Sequence, residues 1–222
     1  MWKSLIYKEW LKVKWFFILF AAIGILAVGY VFLKVQHDFT FNGAKNYWYL
    51  FLFQKLQFFS YLKFVPVAGA LAIAVAQYFP ETVTRRIKLT FHLPLNENKA
   101  LLIMMFFGTV CLLACYVLFV SLFLGLSFLF FPAEIIGSAM VSIAPWFLAG
   151  FAVYYLTALI VLEPVWKYRF LYLVVFASVI PLFFEKAVSG GYAPAIPGLF
   201  VLTVILSIAV LFSGFRFRKG EM

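Results

Sequence analysis

The chain has 222 residues, of which 66% are hydrophobic and 30 are phenylalanine, and its mean hydropathy is +1.06. No soluble domain of this size hides that much apolar surface, so lipid is the expected solvent for most of it. Lys and Arg number 18 against 8 Asp and Glu, a net charge of +10. Anionic lipid head groups account for that charge, and no nucleic-acid partner is expected.

Residues 1–14 read as an amphipathic helix lying in the membrane interface. At about 100° per residue, Trp2, Leu5, Ile6, Trp10 and Val13 share one arc, flanked by Lys3, Lys8, Lys12 and Lys14. Glu9 interrupts that arc, and an ordinary basic flank of the first crossing is the alternative reading. A crossing needs about 20 helical residues. Apolar windows of that kind fall at residues 15–32, 58–79, 101–131, 140–162, 170–184 and 197–215. Six transmembrane helices in an all-α membrane protein are the expected fold, organised as one membrane domain over residues 1–222. The first window is read as an uncleaved helix because no small-residue cleavage site follows it.

Residues 33–57 begin polar, with Gln36, His37, Asp38 and Asn42, and turn aromatic over 47–53, as suits an interface belt. Lys55 and Lys63 fall near that interface. They either snorkel to it or line an outer vestibule for an anionic substrate. Residues 80–99 (PETVTRRIKLTFHLPLNENK) form a polar, basic island between two apolar runs. Pro80 suits a helix start, Glu81 a first turn, and Pro94 a helix end. A short cytoplasmic helix with a basic face is therefore expected there; a plain loop is the alternative.

The third window exceeds one crossing and implies a tilted or projecting helix. Residues 163–169 (EPVWKYR) make a second turn on the same side as the polar island. The fifth window is the shortest and contains Pro181. After it, Gly190, Gly191, Pro194 and Pro197 break residues 185–197, which suggests a re-entrant segment between helices 5 and 6. Cys111 and Cys115 lie four apart in one apolar helix, where bridging would strain the disulfide; they read as small packing residues.

Orientation follows from the cations near helix ends. Lys3, Lys8, Lys12, Lys14, Arg85, Arg86, Lys88, Lys99, Lys167, Arg169, Arg216, Arg218 and Lys219 gather on one side. Lys34, Lys45, Lys55, Lys63 and Lys186 remain on the other. Both termini and the polar island are therefore expected in the cytoplasm, with the protein in the inner (cytoplasmic) membrane.

The chemistry of the crossings is sparse. No crossing carries a carboxylate pair, which argues against ion-coupled transport. No H-E-x-x-H pattern and no G-x-x-x-x-G-K-[ST] pattern occurs. The chain is expected to have no catalytic, cofactor or metal residues of its own, and not to be an enzyme.

That layout resembles the permease subunits of type-2 ABC transporters (the ABC-2, or type V exporter-like, class). The resemblance rests on Lys8-Glu9 in the N-terminal helix, Glu81-Thr82 opening the loop after helix two, and Leu93-Pro94-Leu95-Asn96 closing it. The broken stretch before helix six adds to it. Arg85-Arg86 stand where many relatives carry a Gly-Thr step. The resemblance implies a cytoplasmic coupling loop over residues 80–99 in which Glu81, Thr82, Arg85 and Arg86 engage a separate P-loop ATPase. ATP and Mg would be bound by that partner, and a second permease copy, identical or similar, would complete the path. Aromatic-rich walls without fixed charge favour an amphiphilic or hydrophobic substrate, the alternative being that the same walls simply face lipid. A non-transporting scaffold or assembly factor that anchors a cytoplasmic partner is the reading from a different class.

Overall fold

The computed structural model describes residues 2–43, 46–49, 57–83, 97–185 and 191–219. Among the described residues all regular structure is helical. The long helices, in chain order, are α1 (Trp2–Asn42), α2 (Val65–Val83), α3 (Glu97–Phe130), α4 (Ala133–Leu162), α5 (Trp166–Val179) and α6 (Ile196–Lys219). Short 3-10 turns at Ser60–Leu62 and Ile180–Phe184 precede α2 and follow α5.

Among the described residues, five helical stretches are long and apolar enough to cross a membrane: Lys3–Phe41, Ser60–Val83, Lys99–Phe130, Ala133–Leu162 and Trp166–Phe184. α6 adds a shorter apolar stretch, Ile196–Phe212. Large side chains such as Leu26, Leu33, Phe106, Leu129 and Phe200 are exposed on the outside of the bundle. Water would penalise that surface and hydrocarbon does not. The chain is built as a multi-pass, all-helical membrane protein.

α1 is 41 residues long, about 60 Å at 1.5 Å per residue, so it outruns the hydrocarbon layer. The interfacial helix expected over residues 1–14 is not a separate element, because α1 runs unbroken through Lys14 and Trp15. No Gly or Pro stands at that junction to break it. The start of α1 is also held by protein: Leu5, Glu9 and Val13 are buried, and Leu5 packs with Ala100 and Ile103 of α3. Ile6 and Trp10, expected on the same arc, are exposed. The arc is thus split between a protein-facing edge and an outward-facing one.

α4 is the central helix, with two thirds of its best apolar window buried inside the bundle. Small residues allow its close packing: Ala70 and Ala74 of α2 meet Ala149, Ala152 and Val153 of α4 in the main core. α3 and α4 interlock through two reciprocal contacts. The Tyr154 hydroxyl of α4 sits where a Cβ on Gly108 of α3 would be, and the Tyr116 hydroxyl of α3 sits where a Cβ on Gly150 of α4 would be. A second core at the opposite end is aromatic. Phe58 stacks on Phe131 with ring centroids 4.5 Å apart, and Phe32, Phe123 and Trp146 pack around them. α5 lies at the periphery and buries no residue. Of the segment expected to be re-entrant, residues 186–190 lie outside the described residues. The 191–195 stretch is a turn leading into α6.

Candidate functional site

Four ionic side chains from two helices meet at one end of the bundle. α1 supplies Lys8, Glu9 and Lys12, and α2 supplies Glu81 from its last turn. Lys12 Nζ lies 2.6 Å from Glu9 Oε1 and 2.8 Å from Glu81 Oε1. Lys8 Nζ is 2.8 Å from the same Glu81 oxygen and 3.9 Å from Glu9 Oε1. Lys8 and Lys12 stand one helical turn apart, so both ammoniums reach across the same edge of α1. Glu9 and Glu81 are buried, Lys12 is 14% exposed and Lys8 is 37% exposed. Two positive and two negative charges make the cluster neutral, which is the condition under which such groups tolerate removal from water.

Beneath this ionic layer lies a hydrogen-bonded one. Gln77 precedes Glu81 by one turn of α2 and is fully buried. Its Nε2 donates to Glu9 Oε2 at 3.1 Å and to the Met104 carbonyl of α3 at 2.7 Å. The Tyr154 hydroxyl of α4 donates to Gln77 Oε1 at 2.7 Å. That uses Tyr154's only hydrogen, so Tyr78 is the donor in the 3.0 Å contact between the two hydroxyls. The Gln77 amide has both N–H groups on acceptors and its oxygen on a donor, and the flipped amide would set its oxygen against the Glu9 carboxylate and the Met104 carbonyl and lose both of those bonds. Gly108 makes the approach possible, because a Cβ there would meet both the Tyr154 hydroxyl and Gln77 Oε1. The two layers together tie α1, α2, α3 and α4 at one point. One atom is left over: Glu81 Oε2 is buried and has no hydrogen-bond partner among the described residues.

Glu81 and Thr82, expected to open a short cytoplasmic helix, close α2 in the structure. The helix continues through Pro80 to Val83. Glu81 faces α1, and the Thr82 hydroxyl bonds back to the Phe79 carbonyl at 3.0 Å. Arg85, Arg86 and Lys55 lie outside the described residues. Lys63 is half-buried; its Nζ is 3.5 Å from the Phe184 carbonyl and lies over the Phe64 and Phe184 rings. It is thus held against the 3-10 turn that follows α5. Lys34 is bonded to the Tyr61 hydroxyl.

No apolar window carries a carboxylate pair, yet Glu9 and Glu81, just outside the first two windows, are both buried and share Lys12, the pair being assembled from two helices so that no single run displays it. Gln77, Tyr78 and Tyr154 were not anticipated. The available signals were Glu9, which falls on an apolar arc, and Gln77, the only uncharged amide in an otherwise apolar α2. Among the described residues no group of three or more His, Cys, Asp or Glu could hold a metal ion. Between Glu9 and Glu81 the position a cation would take is filled by the Lys12 ammonium. No protein-family model, no curated protein and no solved structure matches the chain.

Proposed function

We propose that this chain is the membrane-spanning permease subunit of an ATP-driven exporter of the ABC-2 type. It crosses the inner membrane six times, with both termini in the cytoplasm. It works with a separate P-loop ATPase, which binds ATP and Mg, and with a second permease copy, identical or similar. One observation carries the reading: the ionic cluster joins the N-terminal part of α1 to the last turn of α2, where residues 84–96 begin. A push on that segment by a cytoplasmic motor would be transmitted through Glu81 to α1, and through Gln77 to α3 and α4. In this reading Arg85 and Arg86 meet the ATPase, while Glu81 and Thr82 fix the base of the segment that carries them. The apolar outer surface favours an amphiphilic or hydrophobic substrate.

The test is co-purification from membranes in mild detergent. The unsubstituted chain is expected to bring down an ATPase subunit whose hydrolysis depends on it. The double reversal Arg85→Glu with Arg86→Glu is expected to weaken that association tenfold to hundredfold, the effect of about 1–3 kcal/mol at a partly desolvated charge pair. Retention of the ATPase by the double reversal would overturn the docking role. Recovery of an ATPase whose nucleotide state never alters the permease would favour a scaffold.

A further inference from the structure

Pro80 lies between the two attachments of α2. On one side Gln77 and Tyr78 are fixed to α1, α3 and α4 by fully buried hydrogen bonds. On the other side Glu81 is fixed, among the described residues, to α1 through Lys8 and Lys12. Pro80 has no N–H to give to the carbonyl of Ala76, so the helix lacks a rung between the two attachments. Thr82 weakens the same turn from the other direction, since its hydroxyl bonds back to the Phe79 carbonyl at 3.0 Å and the Tyr78 carbonyl at 3.4 Å. Back-bonding of this kind bends helices.

The two attachments differ in what their rupture would leave behind. Withdrawing Gln77 would leave Glu9 Oε2 without its donor and the Tyr154 hydroxyl without its acceptor in a dry interior, while the Met104 carbonyl would keep only its helical bond. Releasing Glu81 strands nothing. Glu9 keeps Lys12 at 2.6 Å on its own helix, half-exposed Lys8 already meets solvent, and Glu81 swings outward to be hydrated. The closed position is also incompletely satisfied, because Glu81 Oε2 lacks a hydrogen bond among the described residues.

We propose that residues 80–83 form a hinged latch, with Pro80 as pivot, Gln77 as fixed anchor, and the Glu81–Lys8–Lys12 contact as the catch that opens. The latch belongs to this chain alone and does not rest on the transport reading.

The test uses the full chain in lipid nanodiscs, spin-labelled at Tyr7→Cys and Val83→Cys, both exposed positions flanking the catch. Cys111 and Cys115 are buried and are replaced by alanine. Pulsed dipolar spectroscopy is expected to give one main distance and a minor longer one. Glu81→Gln is expected to raise the longer population about tenfold, equivalent to roughly 1.4 kcal/mol. Pro80→Ala added to Glu81→Gln restores a helical rung at the pivot and is expected to return the distribution to one peak. Raising the salt concentration on the unsubstituted, labelled chain should increase the longer population, because the catch is partly exposed and therefore screened. A second label pair at Leu71 and Phe106, on the anchored side, should not respond. If neither Glu81→Gln nor salt changes the Tyr7–Val83 distribution, or if Pro80→Ala leaves the added population in place, the latch is overturned.

Discussion

Lys12 is the residue on which the ionic cluster turns, because it alone touches both buried carboxylates closely. Lys12→Met leaves Glu9 and Glu81 facing one another with only half-exposed Lys8 between them. Removing one partner of a buried charge set costs about 3–5 kcal/mol, and unfolding monitored in detergent should show a loss of that order. Lys8→Met should cost much less, since Lys8 is 37% exposed and lies 2.8 Å from Glu81 but 3.9 Å from Glu9; exposed pairs contribute about 0–1 kcal/mol. Equal losses for the two lysines would contradict the geometry. Gly108→Ala tests the lower layer. The added methyl must displace both the tip of the Tyr154 ring and Gln77 Oε1, and overpacking of this kind costs about 1–3 kcal/mol, a loss that unfolding in detergent should show.

At the scale of elements, the sequence displays what periodicity can encode and hides what pairing decides. The windows for α2, α3 and α4 were legible from hydropathy, and the excess length of α3 was visible as an over-long apolar run. The start of α1 was not. Residues 1–14 satisfy the pattern of an interfacial helix because an edge of Leu5 and Val13 packs equally well on lipid or on protein. What selects protein is Glu81, sixty-nine residues beyond Lys12, and no local pattern reports a partner at that distance. The same reason hid the site. Glu9 looked like a flaw in an apolar arc, and Pro80 like the start of a new helix, when it sits inside the old one. A consequence is measurable in α1 itself. Residues 10–20 should show continuous helical protection in hydrogen exchange, with no fast-exchanging break at Lys14 or Trp15; a break there would restore the two-element reading.

At the scale of the whole molecule, an apolar exterior suits a bilayer, and the proposed topology of six crossings with both termini inside fixes how the chain would sit in it. In that topology single cysteines at Asn96 and Lys219 should resist membrane-impermeant reagents applied from outside. Cysteines at Asn42 and Ser189 should react. Labelling at Asn96 from outside would remove the six-helix topology and with it the cytoplasmic placement of residues 84–96.

The direction of the buried hydrogen bonds has an electrical consequence. Tyr78 donates to Tyr154, Tyr154 to Gln77, and Gln77 to Glu9; every hydrogen points one way and the run ends on a carboxylate. A carboxamide does not pick up and release hydrogen ions as a water or an imidazole does, so Gln77 interrupts conduction along this line. The polar interior of the bundle is therefore an insulator that holds helices together and not a wire. Reconstituted in sealed vesicles, the protein should dissipate an imposed pH gradient no faster than empty vesicles do.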